Sequence, residues 1–199
     1  MGYGQQIGAE SSARAVDLEA IEGAQRSALW CSAADTYFPG LCIRNFGADC
    51  SSGWMQGRPF GPGELWTIFS PALSVQFAPG ERAVAGSFGL PIGESFSVIL
   101  QMRGSTTALQ GGRICHLQPQ AICLIDGQSA FELTVSDSFS QVVILRIPRQ
   151  LLLSRHPHLL ELTAGVFDSV ESGASVVRNV LLEVLESAPR LRADQCTSA

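Results

Sequence analysis

Between Phe96 and Arg149 the chain reads as short apolar runs set between turn residues: FSVILQMRGSTTALQGGRICHLQPQAICLIDGQSAFELTVSDSFSQVVILRIPR. In the first run Phe96, Val98, Leu100 and Met102 fall on one face, with Ser97, Gln101 and Arg103 among the residues on the other. That is the period of a strand with one apolar side. Gly104 ends the run, TTALQ follows, and Gly111-Gly112 predicts a tight hairpin into RICHL, because two-residue hairpin turns need positive φ. RICHL stops at Pro119-Gln120. Proline suits the first central position of a turn and glutamine disfavours positive φ at the second, so a type I turn or a wider loop is expected there. AICLID, FELTVS and QVVILRI complete a set of six strands, and Pro148 is placed to open a helix, where its missing N–H costs nothing. Many closely spaced short strands imply a sandwich or a small barrel.

The flanks are less regular. From Ser12 to Trp30 a narrow stripe of Leu18, Ile21 and Leu29 predicts a helix, with Gly23 in its middle. Between Asp35 and Arg58 strand and loop are not separable. ELWTIFS and ALSVQFA read as two strands around Ser70-Pro71, and APGERAVAG as a loop. After the sheet, QLLLSR is a short helix broken at His156-Pro157, and HLLELTA is a second short helical piece. Ser175–Ser187 is the last helix. Val176, Val177, Val180, Leu181, Val184 and Leu185 cover roughly 180° of its surface, with Leu182 beyond that edge. So wide a stripe implies either a deeply buried helix or two packing partners. On the second reading the partner is another copy of the chain across a two-fold axis, Val177, Leu181, Leu182 and Leu185 form the dimer interface, and Leu182 faces away from its own core. The expected organisation is an N-terminal arm and helix at 1–30, a β-barrel at 31–147, C-terminal helices at 148–187 and a tail at 188–199.

Composition narrows the function classes. At 199 residues a single domain with flanking helices can bury a core without disulfide help. The net charge of −5 opposes a direct grip on nucleic acid, which needs a basic surface. The six cysteines include no C-x-x-C pair, and several sit in apolar runs, as core thiols do in a reducing compartment. No secretory leader and no run of membrane-spanning length is visible, which makes the cytoplasm the expected location. His116 is the only histidine on a predicted strand; His156 and His158 flank Pro157 beyond the barrel. A metal needs three or four converging ligands, so no metal and no cofactor is expected. No G-x-S-x-G elbow occurs, GPG and QGG lack the Lys-Ser/Thr of a phosphate loop, and Glu132 and Asp126 read as solvated strand-end charges. No catalytic residue is assigned.

One stretch carries a resemblance. Gly104, Gly112-Arg113, Leu117-Gln118-Pro119, Leu124-Ile125-Asp126, Phe131-Glu132-Leu133, Leu145-Arg146-Ile147-Pro148-Arg149 and the following SRHPHLLELTA occur in the order seen in the N-terminal, cupin-like domain of AraC-type transcription regulators. The resemblance spans residues 64–165. Pro119-Gln120 replaces the family's usual Pro-Gly, and Ser129-Ala130 stands where the family has a proline before the aromatic strand. The resemblance implies a mainly β, cupin-like double-stranded β-helix (jelly-roll) barrel that senses a small-molecule effector. It also implies a homodimer made by the region after the barrel, and DNA contact only through a following helix-turn-helix domain. None is visible here, so the chain is expected to be a piece of a longer regulator.

Trp66, Ile68, Val75, Val98, Leu100 and Phe131 are the residues expected to meet the effector, with Phe96, Cys123, Ile125 and Leu133 as further lining. From spacing alone the same residues make a filled core. Their apolar and aromatic character points to an apolar or aromatic molecule. The rival expectations are a cupin-type small-molecule enzyme, which lacks the His-x-His pair on strands, and a dimerisation module with a filled barrel.

Overall fold

The computed structural model describes residues 14–18, 23–44, 46, 52–79, 90–167 and 173–187. In chain order these form β1 (Arg14–Asp17), α1 (Gly23–Tyr37), β2 (Leu41–Arg44), β3 (Trp54–Phe60), β4 (Gly63–Phe77), β5 (Ser95–Arg103), β6 (Thr106–Gln110), β7 (Arg113–Leu117), β8 (Ile122–Asp126), β9 (Phe131–Pro148), α2 (Arg149–Leu153), β10 (Val166–Phe167) and α3 (Ala174–Ser187). Short 3₁₀ turns lie at Ile92–Glu94 and Pro157–Leu162. The expected arm at 1–10, most of the loop at 78–86 and the tail at 188–199 lie outside the described residues.

The long strands β4 and β9 pair along their whole length and bend together. Beyond the bend their other halves join β2 and β6–β7; before it they join β1–β3 on one side and β5–β8–β10 on the other. One antiparallel ladder thus folds into two facing layers, a barrel. The bend is a bulge: residues 136–138 of β9 stand opposite Ala72 alone, between the pairs Pro71↔Phe139 and Leu73↔Val135. Pro71 cannot donate to a ladder, and bulges are where sheets accept proline. Sequence reading splits β4 at Pro71 and β9 at Asp137-Ser138, because both places carry turn residues; each is one continuous strand.

Two cores result. Between the layers lie Trp30, Phe38, Met55, Trp66, Ile99, Leu117 and Ile125. On the outer face of the first layer, Leu65, Leu100, Ile122 and Val143 pack under Leu181 of α3. That layer is therefore apolar on both faces, which is why ICLID is buried at every position. Gly57 belongs to the inner core: a Cβ there would stand 2.5 Å from the Trp66 ring, so only glycine lets the ring lie flat on β3.

Several local expectations change. The N-terminal helix is Gly23–Tyr37, not Ser12–Trp30; Leu18 is buried in the inner core outside any helix, and Ile21 lies outside the described residues. The Gly111-Gly112 hairpin has φ of 59° and 76°, as a type I′ turn requires. Gln120 has φ 76°, and Ala121 N–H donates to Gln118 O at 2.9 Å. The Pro119-Gln120 turn is thus type II in character, contrary to the type I expectation. Two bonds outweigh the residue's reluctance: Gln120 N–H donates to Gln101 O at 2.8 Å, and its side-chain oxygen accepts from Arg178 of α3 at 2.9 Å. Pro148 occupies the cap position just before α2. On α3, Leu182 is half-buried against its own barrel, so it does not face away from the core. The exposed apolar edge is Val176, Val177 and Val180, at 63%, 44% and 51% exposure. Among the described residues no helix is long and apolar enough to cross a membrane.

Candidate functional site

The two layers do not close completely on each other. Between them lies a cavity of about 120 Å³, of the order of the roughly 150 Å³ apolar cavity that takes a benzene ring. Its floor is Ile68, Leu73 and Val75 of β4 with Phe131, Leu133 and Val142 of β9. One side is closed by Trp30, Ala34 and Phe38, spaced four residues apart along α1 and just past its end, a spacing that keeps side chains on one helix face. Ser97, Ile99 and Ile125 complete the opposite wall.

Sequence reasoning therefore places some site residues and misplaces others. Ile68, Val75 and Phe131 line the cavity, as do Ile125 and Leu133. Val98 and Leu100 do not: they face the outer core under α3. The more apolar face of FSVILQMR is not the inner one; the face carrying Ser97 and Ile99 meets the cavity. Trp66 points inward but is fully buried beside the cavity, packed on Tyr37 and Phe38 with ring centroids 5.1 and 4.7 Å away. Phe96 is fully buried with the Arg149 guanidinium 5.7 Å from its ring centre. Cys123 is buried in the inner core. Its thiol donates to Leu124 O at 3.7 Å, and the neighbouring Cys115 thiol together with burial pushes the Cys123 thiol up.

The polar groups of the cavity sit at its two ends. At one end Arg146, 1% exposed, donates to Glu64 at 3.2 Å, to Tyr37 O at 3.4 Å and to Leu90 O. Its guanidinium lies 5.3 Å from the Phe38 ring centre. Glu64 also accepts from Trp66 Nε1 at 3.1 Å and from the Leu90 N–H at 3.2 Å. The pair thus ties β4 and β9 to the end of α1 and to the backbone of Leu90. Arginine in the middle of VVILRI was a legible sign of a buried charge with a partner. At the other end, beside the bend, stand the hydroxyls of Ser70, Thr106 and Ser140. Ser140 Oγ accepts from Gln101 Nε2 at 2.7 Å and lies 3.1 Å from Thr106 Oγ1.

Other candidate chemistry is dispersed. His116 is exposed on β7, 3.1 Å from Thr107 Oγ1, and His158 is exposed, 3.4 Å from Glu161. Among the described residues no three His, Cys, Asp or Glu side chains converge as metal ligands would. Asp126 is not a solvated strand-end charge: it is buried and paired with Arg149 at 3.0 Å. Glu132 accepts from Gln76 and Ser74, which hold its carboxyl below the ordinary carboxylate range.

A profile of the AraC-binding-like domain matches residues 34–197. The chain belongs to that family. Its fold resembles that of a solved structure: a crystal structure of the AraC-like transcriptional activator CuxR superposes with a TM-score of 0.73 at 15% identity, over 93% of this chain and 64% of that one. The AraC-binding-like chain thus spans less than two thirds of CuxR's length. Its architecture is a cupin-like barrel with flanking helices. Smaller overlaps occur with an HTH_3 family transcriptional regulator from Vibrio cholerae (12% identity, 48% of this chain, 52% of that one, TM-score 0.36). A predicted oxalate decarboxylase from Thermotoga maritima gives a similar overlap (9%, 49%, 81%, 0.37). Neither is close enough to carry an argument. No curated protein sequence matches the chain.

Proposed function

We propose that this domain is the effector-sensing and dimerisation part of an AraC-type transcription regulator. A small apolar or aromatic molecule occupies the cavity, and its binding controls a helix-turn-helix DNA reader carried elsewhere in the full, cytoplasmic protein. The observation that carries the reading is the cavity itself: ring-sized, apolar in its middle, and bounded by strands from both layers and by α1. A filled barrel would leave nothing to sense.

A hydrogen-bonded route supports communication from the cavity to the last helix. Ser140 on the cavity wall is held by the Gln101 side chain; the Gln101 backbone bonds to Gln120 and Ala121; the Gln120 side chain is held by Arg178 of α3. A ligand that prefers one arrangement of this route shifts the population of that arrangement. The exposed Val176, Val177 and Val180 edge of α3 is the surface for a second copy, with Leu181 and Leu182 packed beneath it.

The test is a thermal-shift screen of aromatic and aliphatic metabolites on wild type and on Val75→Phe, which fills the cavity. The reading expects a stabilising hit that Val75→Phe abolishes while the barrel stays folded. Hits that bind Val75→Phe equally well, or an absence of any hit, would sink it.

A further inference from the structure

The hydroxyl end of the cavity narrows the ligand's chemistry, and this inference rests on the sensing role proposed above. Gln101 Nε2 uses both its hydrogens, donating to Arg103 O and to Ser140 Oγ, each at 2.7 Å. The amide cannot be turned over, because Arg103 O can only accept. Ser140 and Thr106 share one hydrogen between oxygens 3.1 Å apart. Whichever hydroxyl donates it, the other hydroxyl keeps a hydrogen with no acceptor among the described residues. Ser70 faces Ser140 across the β4–β9 ladder and lines the same end of the cavity. Its hydroxyl likewise finds no acceptor among the described residues. Gln101 Oε1 is buried without a partner, but Gln101 is not a lining residue; the wall itself therefore presents spare hydrogen-bond donors, and a buried donor left unsatisfied is costly.

The rest of the cavity excludes ions. Arg146 is the charged residue among its described lining, and its guanidinium already faces the Glu64 carboxylate. Glu64 lies behind Arg146 rather than on the cavity wall and balances its charge, so a charged ligand at that end finds a pair already neutral. Elsewhere the walls are Ile68, Val75, Phe131 and Val142, which offer an ion no solvation.

We propose that the effector is an uncharged molecule of about one ring's size that carries a hydrogen-bond acceptor, a carbonyl above all, received by the hydroxyls of Ser70, Thr106 and Ser140.

Three probes of matched shape separate the possibilities by isothermal titration on the full chain: acetophenone, ethylbenzene and benzoate. Acetophenone is expected to bind about tenfold more tightly than ethylbenzene, a ratio equal to about 1.4 kcal/mol and to one neutral hydrogen bond. Benzoate is expected to bind at least about a hundredfold more weakly than acetophenone. Ser70→Ala removes a hydroxyl that holds nothing else, and Thr106→Val keeps the side-chain shape. Each is expected to shrink the acetophenone preference while leaving ethylbenzene affinity in place. Equal binding of acetophenone and ethylbenzene overturns this inference and leaves the cavity reading standing, as does a preference unchanged in both variants or a preference for benzoate. Binding of none of the three overturns the cavity reading and this inference with it.

Discussion

Arg146 is the sharpest place to perturb the barrel. It is 1% exposed, its guanidinium is 3.2 Å from Glu64, and it donates to the carbonyls of Tyr37 and Leu90. Arg146→Met keeps most of the aliphatic volume but takes the guanidinium away from the Glu64 carboxylate, 8% exposed, which among the described residues also accepts from the Trp66 and Leu90 N–H groups. Breaking one side of a buried pair costs about 3–5 kcal/mol. At about 2–4 °C per kcal/mol for a domain of this size, Tm falls by about 6–20 °C. Replacing both partners, with Arg146→Met and Glu64→Gln together, removes the carboxylate charge along with its guanidinium. The double variant is therefore expected to be more stable than the sum of the single losses implies, by about 1–3 kcal/mol. Urea unfolding of the four proteins in the cycle measures this. A loss below about 1 kcal/mol in Arg146→Met, or strict additivity, would refute the argument that the pair ties β4, β9 and α1 together.

Three further outcomes follow from named contacts. Gly57→Ala puts a Cβ 2.5 Å from the rigid Trp66 ring and is expected to cost about 1–3 kcal/mol in denaturant unfolding; a neutral result would mean that β3 can move away from the ring. Gln120→Gly relieves φ of 76° but cuts the bond to Arg178. Barrel stability should stay within about 1 kcal/mol of wild type while amide exchange in α3 quickens, and unchanged exchange would remove Gln120 from the proposed route. Val180→Glu should convert dimer to monomer in light scattering with the barrel intact, whereas Leu182→Glu should destabilise the fold, because Leu182 packs on its own core. A wild-type monomer at high concentration would dispose of the interface.

Much of the sheet was legible because alternation and turn chemistry act locally. The Gly-Gly hairpin and the strands from β5 to β8 are read directly from such signals. What escaped depends on what lies across the sheet. A strand in a layer covered on both faces has no polar side to mark the outside, so the apolar parity of β5 chose Val98 and Leu100, which belong to the α3 side. The less apolar parity, Ser97 and Ile99, lines the cavity. Gly23 looked like an interruption of a helix and is instead the first residue of α1. Positive φ at Gln120 was illegible for a similar reason: the Arg178 that holds its side chain is 58 residues away. On α3, the wheel showed how wide the apolar stripe is but not which edge the barrel takes.

The claim on which the sensing account stands is that the space between the two layers is open to an apolar guest. A crystal structure determined under xenon pressure measures this directly, since xenon enters apolar cavities without needing polar contacts. The account predicts xenon density between Ile68, Val75, Phe131 and Val142 in the wild type, lost in Val75→Phe. Side chains packed solidly through that volume, with no xenon between the layers, would contradict it.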